Sequence, residues 1–171
     1  MNHLKIRILN LFRISIFDIR ILRMLYIASD HAGFKLKEEL DDYLELLGQE
    51  IEDLGPFELD PADDYVDFAL AVAKKIVAEE DSIGILVCGT AQGMCLAANK
   101  VSGIRAVFAF DEFTARHAKE HDDANILCLG AQTTDPETAK KIIKIWLETP
   151  FSGEERHIRR LKKIKEIEDS N

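Results

Sequence analysis

The run GILVCGTAQGMCLAANKV, residues 84–101, puts a cysteine where an apolar segment stops and a loop of small residues starts. Ile85, Leu86 and Val87 read as a buried strand with Cys88 as its last residue. Gly89, Thr90, Ala91, Gln92 and Gly93 then form a tight turn before a helix beginning near Met94. A thiol in that place can be a nucleophile, a base, a metal ligand or a packed bystander. A phosphate-binding P-loop needs GxxxxGK[ST], and this loop has no lysine. A cysteine phosphatase needs an arginine closing the loop, where this chain has Met94, and no further Cys or His stands nearby at ligand spacing. What is left is a thiol beside close-set backbone N–H groups at the positive end of a helix. That setting stabilises a thiolate and any oxyanion formed there. Proton abstraction next to a carbonyl, through an enediolate, needs both together. The alternative is a cysteine that packs as a small hydrophobe, and position alone does not separate the two.

Two other segments carry chemistry-bearing residues. Ser29-Asp30-His31-Ala32-Gly33 follows the first convincing strand. His31 suits phosphate binding or proton shuttling, with Asp30 orienting it or binding a sugar hydroxyl. Ser29 and Asp30 equally suit the cap of a helix starting near Gly33. Near the C-terminus, GEERHIRR sets Arg156 and Arg160 at i,i+4 with His157 beside them. Two arginines on one helix face can grip a dianion by charge-assisted hydrogen bonds, although a solvated basic face is the usual origin of such a run.

Strands and helices must bring these segments together. From Met24 onward, short apolar runs at 25–28, 49–53, 83–87, 104–108 and 125–129 alternate with segments of helical period. The first helix carries Leu36, Leu40, Leu44 and Leu47 on one face and stops at Gly48. Others cover 66–78, the stretch after Gly93, 112–120, the stretch after Pro136 and about 154–168. Near-continuous apolar strands alternating with helices predict an α/β fold, a doubly wound five-stranded parallel sheet of flavodoxin-like (Rossmann-type) order 2-1-3-4-5 plus a C-terminal helix. The crevice then lies at the carboxyl ends of strands one and three, where the Asp30 and Cys88 loops fall.

With 171 residues, 47% apolar and 31% charged, the composition is that of a soluble globular domain. A net charge of −9 argues against nucleic acid and gives no reason to expect an anionic membrane. Cys88, Cys95 and Cys128 form no CxxC pair and no zinc spacing, consistent with reduced thiols in the cytoplasm, Cys95 and Cys128 being core residues. Residues 1–23 carry five Lys/Arg against one Asp and no uninterrupted membrane-length apolar segment. They are read as an upstream start or dispensable arm ahead of a working domain at 24–171. An amphipathic surface helix is the other reading.

The segments SDHAGFKLKEEL, DYVDFA, GILVCGTAQGMCLAANKVSGIRA, ARHAKEHDDANILCLGA and GEERHIRR, in that order, strongly resemble the B-type ribose-5-phosphate isomerase family, which includes the galactose-6-phosphate isomerase subunits. The resemblance covers residues 24 to about 165. It implies cofactor-free and metal-free aldose–ketose isomerisation of a phosphorylated sugar in a homodimer or homotetramer with shared active sites. It implies Cys88 as the base, Thr90 and the backbone from Gly89 through Gly93 to Met94 as the enediolate cradle, and His121, from the partner, as the ring-opening group. Asp30 and Tyr65 would contact the sugar, and His31, Arg156 and Arg160 the phosphate. His117, one turn before His121, is expected on the solvent or dimer side.

Three departures stand out. Ala91 replaces a usual glycine, Asp122 a usual substrate-facing asparagine, and Gln132 a usual phosphate-binding arginine. Losing a charged hydrogen bond at Gln132 costs roughly 1.5–3 kcal/mol. Ribose 5-phosphate to ribulose 5-phosphate is the leading expectation. A hexose 6-phosphate or other aldose phosphate is the alternative within the chemistry, and sugar-phosphate binding without catalysis the alternative outside it.

Overall fold

A computed structural model describes residues 23–170. The expected extension at 1–23 therefore lies outside the described residues except for Arg23. Eleven elements follow in order: β1 Leu25–Ser29, α1 Phe34–Leu46, β2 Ile51–Asp53, α2 Tyr65–Ala78, β3 Ile83–Cys88, α3 Gln92–Ala98, β4 Ala106–Phe108, α4 Glu112–Glu120, β5 Ile126–Gly130, α5 Pro136–Glu148 and α6 Glu155–Glu168.

All pairings are parallel, as the apolar strands require: Leu25 stands opposite Ile51 and Ile83, Gly84 opposite Ile126, and Cys88 opposite Gly130. The α/β class holds, but the order is β2-β1-β3-β5-β4, a correction to the expected 2-1-3-4-5. The reason lies in burial. Every residue of β5 is buried, so it needs neighbours on both sides, while β4 has three residues of which only Ala106 is buried. Right-handed crossovers then decide the helix layers. The step from β4 back to β5 reverses direction, so α4 crosses to the face opposite α3 and packs on α5.

Strand alternation builds the two cores. Leu25, Ile27, Ile85, Val87, Leu127 and Leu129 face α1, α4 and α5, where Leu36, Leu40, Ile142 and Trp146 meet them. Tyr26, Ala28, Leu86, Cys88, Ile126 and Cys128 face α2 and α3, with Val72, Ala73, Met94 and Ala98. Strand β4 begins two residues later than expected because side chains intercept its ladder: Asn125 Oδ1 accepts the Arg105 N–H at 2.8 Å, and Asn99 Oδ1 accepts that of Ala106 at 2.9 Å. Asp64, Asp111 and Asp135 cap α2, α4 and α5 by accepting backbone N–H groups. Helix α1 has no such cap at its Gly33 N-cap position. Instead Gly33 lies so close to β3 that a Cβ there would stand 2.3 Å from Val87 O. Only glycine lets the α1 entry meet the tip of the Cys88 strand.

Candidate functional site

Cys88 ends β3, is 5% exposed and joins the core face beneath α3. The chain directly after β5 holds the start of the loop that follows Cys88. Cys88 O accepts the Ala131 N–H at 2.8 Å, and Gly89 O accepts that of Gln132 at 2.9 Å. The first bond of α3 is Cys95 N–H to Ala91 O at 3.1 Å, so the amides just before it have no intrahelical acceptor. The helix starts at Gln92, earlier than expected. Ala91 turns the chain with φ +67° and is fully buried; a left-handed residue is indeed required at the position where the family resemblance led us to expect glycine. Thr90 is exposed, and its Cα would lie 3.1 Å from a Cβ on Gly130, the residue opposite Cys88.

Five further predicted residues gather at this carboxyl end of the sheet. Asp30, 6% exposed, accepts the Gly33 N–H at 2.9 Å. It therefore does part of the capping that sequence suggested, whereas Ser29 Oγ is buried with no partner among the described residues. Burial pushes the Asp30 carboxyl above the usual carboxylate range, against the opposing Gly33 hydrogen bond. The Tyr65 ring lies on Gly93, where a Cβ would meet it at 2.8 Å. The Gln132 amide lies over Gly89, its Nε2 3.2 Å from where a Cβ would be. Ala32, beside His31, is also a neighbour of Gly89 at 3.6 Å. Asp63, which sequence reasoning passed over, accepts from His31 Nδ1 at 2.6 Å. It lies in the GPFELDPADD loop among several acids, and nothing local distinguishes it from them.

His121, Asp122, Arg156 and Arg160 belong elsewhere. Helix α4 runs back along the sheet and delivers His121, its C-cap, to the end where β5 begins. About 13 Å of strand separates that end from the Cys88 tip, so one chain does not bring thiol and imidazole together. Aromatic rings gather around His121. Phe113 to His117, His117 to His121 and His121 to His157 have centroid separations of 3.9, 4.6 and 4.3 Å. His117, expected on the solvent or dimer side, meets the His121 ring edge-on, with its Nδ1 2.9 Å from Phe113 O. His157 is 1% exposed and its Nδ1 meets Ser152 Oγ at 2.7 Å. Burial, reinforced by His121 and Arg156, lowers its pKa. Arg105, also missed, braces the turn after His121: its Nε donates to Asp122 O at 3.1 Å and Asp123 O at 2.8 Å. Arg156 and Arg160 are exposed on α6, and Arg156 Nε pairs with Glu154 at 2.7 Å.

The other titratable clusters have local explanations. Glu38, Asp41 and Asp53 carry carboxylates within 4.8 Å of one another, but the buried Lys37 ammonium sits among them, bonded to Asp53 and 3.1 Å from Glu38. A metal ion would have to displace that cation. Cys128 is a core thiol, as expected, whereas Cys95 is half-buried and its hydrogen bond with Cys128 lowers its pKa to about 7.

The chain matches a family model described as Ribose/Galactose Isomerase over residues 25–164. It is 39% identical over 143 residues to ribose-5-phosphate isomerase B of Mycolicibacterium paratuberculosis, covering 84% of this chain and 90% of that one. Among solved structures, ribose-5-phosphate isomerase B of Clostridium thermocellum superposes with a TM-score of 0.83 at 42% identity, covering 86% of this chain and 98% of the other. The Mycoplasma genitalium ribose-5-phosphate isomerase B with bound ribulose-5-phosphate gives 0.83 at 41% identity, covering 86% and 97%.

Proposed function

Since the chain belongs to the ribose/galactose isomerase family, and is a sugar-phosphate aldose–ketose isomerase, we propose that it interconverts ribose 5-phosphate and ribulose 5-phosphate with Cys88 as the base. The observation that carries this reading is the position of Cys88 at the tip of β3, at the switch point between β1 and β3, directly before a run of amides free of helical acceptors. The thiolate removes the C2 proton of the opened aldose and returns it to C1. Amides of Gly89 to Met94, with Thr90, take the charge of the enediolate. Asp30 and Tyr65 hold the sugar hydroxyls, while Gln132 faces substrate from this chain and Asp122 of the partner subunit faces it beside the imidazole, at the positions where the family resemblance implies Arg and Asn.

The remaining groups come from a second copy. Two-fold pairing would set the His121 end of one sheet against the Cys88 end of the other, completing two equivalent sites. His121 of the partner subunit then assists ring opening, and Arg156 and Arg160 of the partner subunit join His31 around the phosphate. Among the described residues no helix is long and apolar enough to cross a membrane. The free thiols suit a reducing cytoplasm.

Turnover of ribose 5-phosphate by the native chain and by Cys88→Ala tests the proposal. The expected loss is at least about 10³-fold, and equal turnover removes Cys88 as the base. A panel of hexose 6-phosphates run beside it decides the sugar: preference for a hexose replaces the pentose reading. A fully active monomer in sedimentation overturns the shared site.

A further inference from the structure

Asp63 spends one carboxylate oxygen entirely on His31. Its Oδ1 accepts the His31 backbone N–H at 3.1 Å and lies 2.6 Å from the ring Nδ1. Two anchors on one oxygen fix both the loop and the ring angle. The Asp63 side chain is only 9% exposed, and its Oδ2 is buried with no partner among the described residues. The His31 side chain is 40% exposed. With Nδ1 engaged, Nε2 is the ring nitrogen available to a ligand.

The chemistry of a neutral histidine is wrong for phosphate in this arrangement. A neutral ring donating through Nδ1 has a bare lone pair at Nε2, which an anionic oxygen repels. An imidazolium donates from both nitrogens. A buried carboxylate with an orphan oxygen has little water to share its charge with, and the ring beside it is the nearest group able to carry a compensating proton.

Resting on the function proposed above, we infer that Asp63 is a positioning residue for the phosphate end of the site, holding His31 by amide and Nδ1 so that Nε2 faces the ligand as a charged N–H donor. The acidic groups acting on the ring agree in sign. The hydrogen bond to Asp63 is the largest influence and raises the His31 pKa, burial opposes it, and the charges of Asp63, Asp30 and Asp60 raise it further. Folding with a raised pKa keeps the ring charged at pH values where an ordinary histidine has lost its proton.

The test uses the full-length protein, inorganic phosphate as the probe, and Asp63→Asn, which keeps the acceptor oxygen and removes the charge. In the native protein, the His31 Cε1–H resonance should titrate above the ordinary histidine value of 6.5. A value at or below it overturns the inference before any variant is made. In Asp63→Asn, phosphate affinity at pH 7.5 should fall about tenfold. At pH 5.5, where the ring is protonated in both proteins, the gap should close to less than about twofold. With ribose 5-phosphate the loss should fall on KM rather than kcat. In a His31→Asn background, Asp63→Asn should have no further effect on phosphate binding; an undiminished effect there, or a gap independent of pH, overturns the inference. Phosphate binding behaving as stated in a protein that fails to isomerise ribose 5-phosphate would instead defeat the proposed substrate and leave Asp63 in its role.

Discussion

His121 and His157 stack with centroids 4.3 Å apart and planes 37° apart, joining the end of α4 to the first turn of α6. The contact makes the C-terminal helix a brace for the imidazole proposed to assist ring opening. The lowered His157 pKa gives it a pH signature. In the unfolded chain the ring takes a proton near its ordinary value of 6.5, while in the folded chain it resists until lower pH. The unfolded state therefore binds more protons in that window, and stability falls as pH drops through it. His157→Gln should flatten this part of a Tm-against-pH curve; an unchanged acid slope would contradict the assignment.

Lys119 poses the matching alkaline case. It is 5% exposed, lies 4.6 Å above the Trp146 ring, and burial lowers its pKa to about 8 from 10.5. The unfolded chain holds that proton between the two values, so stability should rise with pH from about 8 toward 10.5. Lys119→Met should abolish the rise and raise Tm at pH 7, because a buried charge is replaced by an apolar chain of similar volume.

Gly33→Ala should be among the most damaging single-methyl changes in the molecule. The added carbon would meet Val87 O at 2.3 Å, and neither backbone can yield without moving β3. A loss of about 3 kcal/mol is expected, or a Tm about 10 °C lower. Gly48→Ala, at φ +69° but in open space, should cost about 1 kcal/mol. Equal effects would mean that the β3 contact is soft.

Ala91→Gly pits opposing terms against each other. Relief of a left-handed alanine contributes about 1–2 kcal/mol. Loss of a buried methyl costs about 0.8 kcal/mol, and added freedom of the unfolded glycine about 0.5–1 kcal/mol. The net change in denaturant unfolding should be under about 1 kcal/mol, whereas Ala91→Val should lose several times more because a β-branched residue fits φ +67° badly.

Alkylation separates the thiols. With a pKa near 7, half-buried Cys95 should react with iodoacetamide at pH 7.5 well before Cys128, whose thiol burial pushes up. Mass spectrometry of the labelled peptides checks the order. Slower labelling of Cys95 would show that its contact with Cys128 does not stabilise the thiolate.

The Cys88 end of the site was legible because its residues lie in two short segments, each directly after a strand. Asp30, His31, Cys88 and Thr90 needed only the parallel-sheet rule to be placed together. Asp63 was not legible, since its partner lies 32 residues away and neighbouring acids mask it. The exchange of β4 and β5 was recoverable in principle: ILCLG is apolar throughout, while AVF is short and flanked by Arg105 and Asp111. The contact of His121 with His157 escaped because it joins helices distant in sequence, whereas His117 lies one turn before His121 on the same helix. Sequence period places each helix but not its neighbour across the β4 edge.

Placing the thiol and the His121 imidazole at opposite ends of one sheet has a genetic corollary. Under the shared site proposed above, two alleles, each disabled at one of those residues, should rescue one another when co-expressed, because a hybrid molecule would assemble one undamaged cleft from the surviving halves. Random association would leave roughly a quarter of all clefts intact, so a population built wholly from dead variants should still turn over sugar.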